Sequence, residues 1–432
     1  MATIHRHERS MNMGDQLILK SYEAARETYA AVGVDTEKAI AALRKIPLSL
    51  QCWQGDDGSG FENPTGPLTG GIAATGNHPG KARNANELRA DYAEALSLIP
   101  GTHRINIHAI YAETGGKKVE RDELRGEHFD SWIAWARERG IGMDFNSTFY
   151  SHPLSEDGFT LSSRDPGKRS FWIRHGQASR RIGAYIGHAL GKRSVVNHWI
   201  PDGYKDIPAD RLEPRAILLR SLDEMFSENL DSAYTVDAVE GKLFGLGSEA
   251  YVVGSHEFYL AYALTRKKLL CLDMGHFHPT ETVSDKISSL MLYLDEILLH
   301  VSRGVRWDSD HVVILDDELQ ALARELVRGG FLGRTNIGLD FFDASINRVA
   351  AWVIGARSTL KALLIALLEP PAAREAEAAG DLTGRLGLLE DNKLLPAGAV
   401  WDYYCESMGV PPANRWLDVV RRYERDVLLK RR

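Results

Sequence analysis

The sequence predicts an α/β fold, a closed (β/α)8 TIM barrel followed by a mostly helical C-terminal extension. Eight short apolar segments of strand length alternate with segments of helical periodicity, which is typical of a parallel sheet. Polar and ionisable residues stand at the carboxyl ends of successive strands, where such barrels place their sites. An open doubly wound sheet is the alternative, but the sequence has no strand–GxGxxG–helix unit to favour it.

The predicted elements follow one another in a regular order. Two helices, residues 16–31 and 35–45, precede the barrel. The strands are predicted at residues 46–53, 104–110, 141–146, 194–200, 236–244, 269–273, 298–302 and 335–341. The helices that follow them are predicted at residues 84–99, 127–139, 170–190, 214–226, 255–265, 284–294, 316–327 and 345–368. Asn84 is the candidate N-cap of the first of these, because Glu87 follows three residues later.

Two segments do not follow this alternation of strands and helices. The composition changes after residue 368, so we expect a catalytic barrel over residues 1–368 and a helical extension over residues 369–432. The extension packs on the barrel or on a neighbouring subunit. The Gly-rich residues 55–80 have no periodicity, and segments of this kind are functional loops or disordered. We favour a loop near the site, because Trp53 and Phe61 flank its acidic start.

The composition excludes several classes of protein. Hydrophobic residues make up 44% and charged residues 26%, which is ordinary for a globular enzyme. A net charge of -7 argues against nucleic acid as a partner. We find neither a run of eighteen apolar residues for a membrane span nor an apolar signal core. The three cysteines, Cys52, Cys271 and Cys405, are widely spaced and odd in number, which indicates the reducing cytoplasm.

Potential metal ligands concentrate between residues 269 and 310. Neutral imidazole and carboxylate, without thiolate, are the donors that many divalent ions prefer. Asp308 and Asp310 share one face of an extended segment, and such a pair repels unless it turns apart, is protonated or binds a cation. A surface turn is the alternative for this pair. The candidate ligands among the histidines and acidic residues of this stretch are Asp273, His276, His278, Glu281, His300, Asp308 and Asp310.

Three of these positions have a second interpretation. A turn at Gly275 brings Asp273 and His276 to one mouth, or the two residues serve two different ions. A histidine inside an apolar strand, such as His300, is more often a core residue than a ligand. His278 is more simply a capping or supporting group.

Two further strands contribute ionisable residues. Glu240 and Lys242 share a strand face, either as a buried ion pair or as a ligand beside a cation that holds a substrate oxygen. Asp340, among apolar neighbours, needs a partner, and a metal ion would supply one. Four ring-bearing residues near different strand ends belong either to the core or to a floor for a sugar: Trp53, His108, Phe145 and Trp199.

Six segments, in order and over nearly the whole chain, resemble bacterial L-rhamnose isomerases. They are HPLSEDGFTL, IPDGYKD, VEGKLFG, LCLDMGHFHPTE, ILLHVSRGVRWDSDHVV and IGLDFFDASINRVAAWVIG. The resemblance implies a barrel related to xylose isomerases, assembled as a homotetramer. It also implies two divalent ions per subunit, manganese or alternatively cobalt or zinc. The implied reaction interconverts L-rhamnose and L-rhamnulose, the first step of rhamnose breakdown.

The resemblance assigns roles residue by residue. It implies that His276, Asp308 and Asp310 hold a catalytic metal. It implies that a second, substrate-anchoring metal is held by Glu240, Asp273, His300 and Asp340. This makes His300 a ligand and divides Asp273 and His276 between two ions. Lys242 matches a lysine near the reacting oxygens of the sugar, His108 matches a histidine of ring opening, and Asp340 counts among the catalytic residues.

The expected chemistry has competitors. Divalent ions act as Lewis acids in moving a hydrogen between C2 and C1, and an enclosed aromatic site favours a hydride shift over an enediol route. A metal-dependent hydrolase is the rival from another class, since such barrels host many reactions. The predominance of carboxylates favours a harder ion and polyol chelation instead. A non-catalytic sugar binder fits poorly with so many ligands.

Overall fold

The predicted barrel is confirmed. The computed structural model describes residues 13–62, 74–242, 250–305 and 310–431. Within these residues eight parallel strands close into a barrel, in which each strand pairs with its neighbours in the chain and the last strand pairs with the first. The strands are β1 (Leu48–Gln51), β2 (Arg104–His108), β3 (Gly142–Asn146), β4 (Ser194–Trp199), β5 (Thr235–Glu240), β6 (Leu269–Asp273), β7 (Ile297–Val301) and β8 (Thr335–Leu339).

Helices surround the barrel and continue beyond it. The two N-terminal helices are α1 (Met13–Ala31) and α2 (Thr36–Leu43). The helices between and after the strands are α3 (Trp53–Asp56), α4 (Ala85–Ser97), α5 (Asp130–Glu138), α6 (Pro166–Leu190), α7 (Leu212–Met225), α8 (His256–Arg266), α9 (Ser284–Leu290), α10 (Asp317–Arg328) and α11 (Arg348–Leu367). The C-terminal helices are α12 (Ala372–Ala378), α13 (Leu382–Asp391), α14 (Ala397–Ser407) and α15 (Trp416–Asp426).

Local sequence explains where the helices begin. Asn84 is the N-cap of α4, because its side chain accepts a hydrogen bond from the backbone N–H of Glu87 at 3.0 Å. Asp316 caps α10 through Leu319 in the same way. The helix α11 is long and apolar enough to cross a membrane, but 83% of its apolar window is buried within the protein. It is therefore a core helix.

The barrel interior has two layers. Side chains alternate along each strand, so every second residue faces inward and the others pack against the helices. Deep in the barrel an apolar cluster lines the side formed by β4 to β7, and the carboxyl ends of these strands above it carry polar side chains. The apolar cluster consists of Val195, Ala238, Leu269, Cys271 and Leu298. The inward-facing polar layer above it positions the site.

Some predicted boundaries differ from the structure. The first strand ends at Gln51, and Trp53 instead begins the short helix α3, which turns back at Asp57 with a left-handed backbone (φ +57°). The fifth strand ends at Glu240, level with the end of β4, because its last pairing is with Trp199. A small antiparallel ribbon that the sequence did not predict pairs Gly203–Tyr204 with Tyr251–Val252.

The helical character of the C-terminal extension is confirmed, and it packs on the N-terminal half of the chain. The rings of Tyr22 in α1 and Tyr403 in α14 stack with their centroids 3.7 Å apart. Arg431 forms a bidentate ion pair with the buried carboxylate of Asp91 in α4. The three cysteines are free and buried, as the sequence suggested.

Candidate metal centre

Four ionisable side chains meet inside the barrel, near the carboxyl ends of consecutive strands. Glu240 and Asp273 end β5 and β6, His300 lies on β7, and Asp340 directly follows β8. Their ligand atoms all lie within 4.8 Å of one another, and all four residues are buried. The parallel register places Asp273 beside His300 and Glu240 beside Cys271. The structure therefore brings together the four residues of the expected substrate-anchoring set.

The imidazole of His300 faces the three carboxylates. Its Nδ1 lies 2.7 Å from Oδ2 of Asp340, 3.5 Å from Oε2 of Glu240 and 3.6 Å from Oδ2 of Asp273. Nδ1 of His300 is paired with the carboxylate of Asp340, but among the described residues Nε2 of His300, Oδ2 of Asp273 and Oδ1 of Asp340 have no hydrogen-bond partner. Because buried polar atoms are nearly always paired, these three atoms indicate a ligand between them.

The electrostatics of the cluster favour a cation. Burial raises the pKa of Asp340, the neighbouring His300 opposes this, and the carboxylates of Asp273 and Glu240 add to it. Burial lowers the pKa of His300, yet the anionic groups around it raise that pKa well above its ordinary value. Three carboxylates and one imidazole are also the oxygen-rich donor set that ions such as Mn²⁺ bind. The residues present thus fit a divalent metal.

A surrounding layer of hydrogen bonds fixes two of the carboxylates. Oδ1 of Asp273 accepts a bond from the hydroxyl of Ser302 at 2.8 Å and another from the backbone N–H of Gly275 at 2.7 Å. Oε2 of Glu240 accepts a bond from the amide of Asn197 at 2.5 Å. Such supporting bonds hold metal-binding carboxylates in orientation.

His276 lies beside this cluster. Its Nδ1 is 3.0 Å from Oε1 of Glu240 and 3.2 Å from the carbonyl oxygen of Gly241, and both of these atoms are acceptors. Nδ1 therefore carries a proton. A ring N–H donated to a carboxylate or carbonyl is the usual arrangement of a metal-ligating histidine. This geometry is compatible with the expected ligand role of His276.

Lys242 and His276 share the ring of Trp199. Nζ of the buried Lys242 lies 5.0 Å from the centroid of that ring, and the imidazole of His276 stacks at 6.1 Å from it. The indole thereby holds an ammonium group next to the carboxylate cluster, within a mostly enclosed space. The structure brings Lys242 and Trp199 to the same site, as the sequence suggested.

The other two expected ligands of the catalytic metal are described only in part. Asp310 has a left-handed backbone with φ of +45°, and its carbonyl oxygen accepts a hydrogen bond from the N–H of Phe342 at 3.2 Å. This bond links its segment to the chain that follows Asp340. Asp308 lies outside the described residues. The set of His276, Asp308 and Asp310 therefore stays a prediction.

Aromatic rings cover one side of the mouth. Trp53, Tyr150, Trp199 and Phe342 form a buried cluster separate from the main core. The ring centroids of Trp53 and Phe342 are 5.4 Å apart, and those of Tyr150 and Trp199 are 5.5 Å apart. In the described part of the chain, both indole N–H groups and the Tyr150 hydroxyl lack hydrogen-bond partners. Apolar rings with unpaired polar atoms suit a polyol that has an apolar face.

The structure does not bring Phe145 into this cluster, which corrects its expected place in the floor. Its ring packs edge-on against Phe129 on the helix side of β3, with centroids 5.1 Å apart. The reason is the alternation of side chains along a strand. Asp144 and Asn146 face the interior, where they bond Ser49 and Asn106.

His108 lies at the end of β2 against Trp53, with ring centroids 4.4 Å apart. Burial and the neighbouring His300 lower the pKa of His108 to about 3, so the ring is neutral near pH 7. Its Nε2 lies 3.0 Å from Oε1 of Gln51, which places the proton on Nε2. Nδ1 then presents a buried lone pair, and it has no partner within the residues that the structure covers.

Sequence reasoning missed four supporting residues of the site. Asn197 lies two positions before Trp199 on β4, so the two side chains share one face of the strand. That spacing could have indicated that Asn197 also faces the site. Ser302 directly follows the last residue of β7. Tyr150 and Phe342 follow β3 and β8 in loops, where no periodicity indicates which way a side chain points.

Comparison with known proteins gives a consistent family. Residues 16–431 match the family model described as L-rhamnose isomerase (RhaA). The chain is 60% identical over 413 residues to the L-rhamnose isomerase of Escherichia coli O9:H4 (strain HS), covering 95% of this chain and 98% of that protein. It is 59% identical over the same length to the L-rhamnose isomerase of Escherichia coli (strain K12).

Solved structures show a more distant likeness. The structure of an L-ribulose 3-epimerase aligns with a TM-score of 0.47 at 12% identity, covering 77% of this chain and 98% of that chain.

Proposed function

The chain belongs to the L-rhamnose isomerase family, and from this premise we propose that it interconverts L-rhamnose and L-rhamnulose, the first step of rhamnose breakdown. The observation that carries this proposal is the buried cluster of Glu240, Asp273, His300 and Asp340 at the mouth of the barrel. An aldose–ketose isomerase needs O1 and O2 of its sugar polarised, and a divalent ion bound there would supply this Lewis acidity.

Two sets of residues would hold the ions. Glu240, Asp273, His300 and Asp340 would hold the ion that anchors the sugar, and His276, Asp308 and Asp310 would hold the catalytic ion. Oxygen-rich sets of this kind favour Mn²⁺, with Co²⁺ or Zn²⁺ as alternatives. The contacts of Nδ1 of His276 with Glu240 and Gly241 orient the ring, which supports a ligand role of His276 in the catalytic set.

Protein groups would handle the protons and charges of the sugar. Lys242, whose ammonium group lies over the ring of Trp199, would place a cation beside the reacting oxygens. Nδ1 of the neutral His108 would accept the proton of the ring hydroxyl and so open the sugar ring. Asp340, whose pKa burial raises, would exchange a proton with a sugar hydroxyl in addition to its ligand role.

The enclosure of the site favours a hydride shift between C2 and C1. Trp53, Tyr150, Trp199 and Phe342 form a buried aromatic side of the mouth, which keeps water from the reacting carbons. A proton removed to form an enediol would exchange with solvent, whereas a shifted hydride would not. Turnover in D₂O therefore distinguishes the two routes, and we expect little deuterium at C1 of the product.

The organisation of the protein is also part of the proposal. We infer a catalytic barrel over residues 1–368 and an extension over residues 369–432, assembled as a homotetramer in the cytoplasm. Exposed leucines in the extension support a subunit contact, since Leu382 and Leu386 on α13 are 60% and 57% exposed.

The decisive experiment is an assay for ketose after incubation of the protein with L-rhamnose and Mn²⁺. We expect L-rhamnulose to form, to stop after chelation with EDTA, and to return with Mn²⁺. Asp273→Asn should abolish turnover, while the matched control Asp223→Asn should not, because Asp223 pairs with Arg266 at the surface. Absence of ketose from folded, manganese-loaded protein would overturn the proposal.

A further inference from the structure

The barrel interior brings a thiol to the edge of the carboxylate cluster. Cys271 lies two residues before Asp273 on β6, so the two side chains face the same side of the strand. Sγ of Cys271, one ligand atom of Glu240 and one of His300 all lie within 4.8 Å of one another, and all three residues are buried. Glu240 and His300 therefore belong to two alternative ligand sets.

The two sets differ in chemical softness. The set completed by Asp273 and Asp340 offers one nitrogen with carboxylate oxygens, which suits harder ions such as Mn²⁺. The set completed by Cys271 offers one sulfur, one nitrogen and one oxygen, which suits thiophilic ions. The fully buried His300 belongs to both groups of ligand atoms, and its Nε2 has no hydrogen-bond partner among the residues described, so it can ligate in either set.

We propose that Glu240, Cys271 and His300 form an alternative site for thiophilic divalent cations such as Cd²⁺. A cation bound at this site excludes an ion from the carboxylate set. Two residues are shared, so one ion at a time can be held with full coordination. On binding, a bond forms between Sγ and the cation, and the thiol proton passes to solvent. Inhibition of the enzyme by such ions would follow, and that consequence alone rests on the proposed function.

The surroundings of Cys271 favour entry from the mouth of the barrel. On its other side the thiol packs in the apolar cluster with Val195, Ala238, Leu269 and Leu298. A cation that enters from the mouth therefore passes the carboxylates before it reaches the thiol. This order explains how an ion can be attracted by charge and then retained by sulfur.

Titration of EDTA-dialysed protein with Cd²⁺ tests the site without any assay of activity. We expect an ultraviolet thiolate-to-cadmium absorption band that saturates at one equivalent and is suppressed by Mn²⁺. The band should persist in Cys405→Ser, a matched control because Cys405 is buried at α14, and should vanish in Cys271→Ser. Cys271→Ala serves as the second variant if the serine hydroxyl impairs folding.

Activity provides the second readout. The Cd²⁺ concentration that half-inhibits turnover should rise at least about tenfold in Cys271→Ser, since loss of even a residue that supports a ligand weakens metal binding that much. A band that survives in both Cys271 variants, or binding of Cd²⁺ in wild type that Mn²⁺ does not reduce, would overturn the proposal. If rhamnose isomerisation itself fails, the absorption titration still decides whether the thiol site exists.

Discussion

Gln54 and Asp343 exchange two hydrogen bonds between the segments that follow the neighbouring strands β1 and β8. Nε2 of Gln54 donates to the carbonyl oxygen of Asp343 at 3.1 Å, and the N–H of Asp343 donates to Oε1 of Gln54 at 2.8 Å. Gln54 follows Trp53 in α3, and Asp343 follows Phe342, so the pair connects the two segments that carry these rings. The side chain of Gln54 is buried. This amide thus positions the end of β8, and with it Asp340.

Gln54→Ala should lower kcat/KM by about tenfold to a hundredfold, because a small misplacement of a catalytic segment has effects of that size. Asp340 and Phe342 would lose the contact that fixes them, while the ligands on β5 to β7 would stay in place. Steady-state kinetics with saturating Mn²⁺ measures the effect. The control is Gln177→Ala, since Gln177 bonds the carbonyl of Glu224 at the surface, away from the mouth. Equal kinetics in both variants would contradict the positioning role.

Arg121 holds a second segment of the mouth. Its guanidinium donates to the carbonyl oxygens of Thr148, Tyr150 and Ser151 and pairs with the carboxylate of Glu62. Arg121→Lys should destabilise the protein by about 3 kcal/mol, because the ammonium group of lysine cannot make all the hydrogen bonds that the buried, planar guanidinium donates.

Urea unfolding measures this loss. The matched control is Arg174→Lys, which alters an exposed pair with Asp122 and should change the free energy of unfolding by less than about 1 kcal/mol. A loss of similar size in both variants would show that burial of Arg121 does not matter.

The buried carboxylate cluster should couple metal binding to the stability of the folded protein. Addition of Mn²⁺ to EDTA-treated protein should raise Tm, with a gain of about 2.7 kcal/mol when the ion is a hundredfold above its Kd. Glu240→Gln should remove this gain. The metal-free variant should be less stable than metal-free wild type at neutral pH: burial raises the pKa of Glu240, but His300 and His276 hold that pKa well below its ordinary value, so the folded protein stabilises this carboxylate. Calorimetry with and without Mn²⁺ measures both effects, and a metal-free variant of equal or higher Tm would contradict the role of the two histidines.

Asp237 should make stability depend on pH. Burial would raise its pKa, but the hydrogen bond from His198 and the charges of Lys268 and Arg180 hold that pKa well below its ordinary value. A depressed carboxyl pKa contributes stability above the unfolded value of about 3.9, and the contribution is lost as pH falls below it. Asp237→Asn should therefore be less stable near pH 7, and its deficit should shrink as the pH falls below 4.

Urea midpoints between neutral pH and pH 3 measure this dependence. The surface variant Asp223→Asn should follow the wild-type curve closely, because that ion pair is solvent-exposed. Parallel curves for wild type and Asp237→Asn would show that the carboxylate contributes nothing through its charge.

The sequence predicts the strands of this fold better than its loops, for a physical reason. Asp273 and His300 lie on buried strands whose ends meet in any closed parallel barrel, so their proximity follows from the fold. The structure does not place Phe145 in the aromatic floor, because the alternation of side chains shows which residues share a strand face but not which face is interior. That choice depends on contacts between strands, here the side-chain hydrogen bond from Asn106 to Asn146 inside the barrel. Gln54 escaped notice because its bond to Asp343 joins positions 289 residues apart in the chain.

Tyr150 was missed for the same reason, and its hydroxyl now offers a direct test of the sugar site. The ring is buried beside Trp199, and the hydroxyl has no hydrogen-bond partner in the ranges that the structure describes. If it bonds a sugar hydroxyl equally in the ground and transition states, Tyr150→Phe should raise KM about threefold to tenfold and leave kcat unchanged. The free protein should not be destabilised, since the change removes an unsatisfied buried group.

Tyr29→Phe, which changes another buried tyrosine in the distant helix α1, is the kinetic control. A fall in kcat with constant KM would instead place the hydroxyl at the reacting atoms, and no kinetic change would remove Tyr150 from the sugar site.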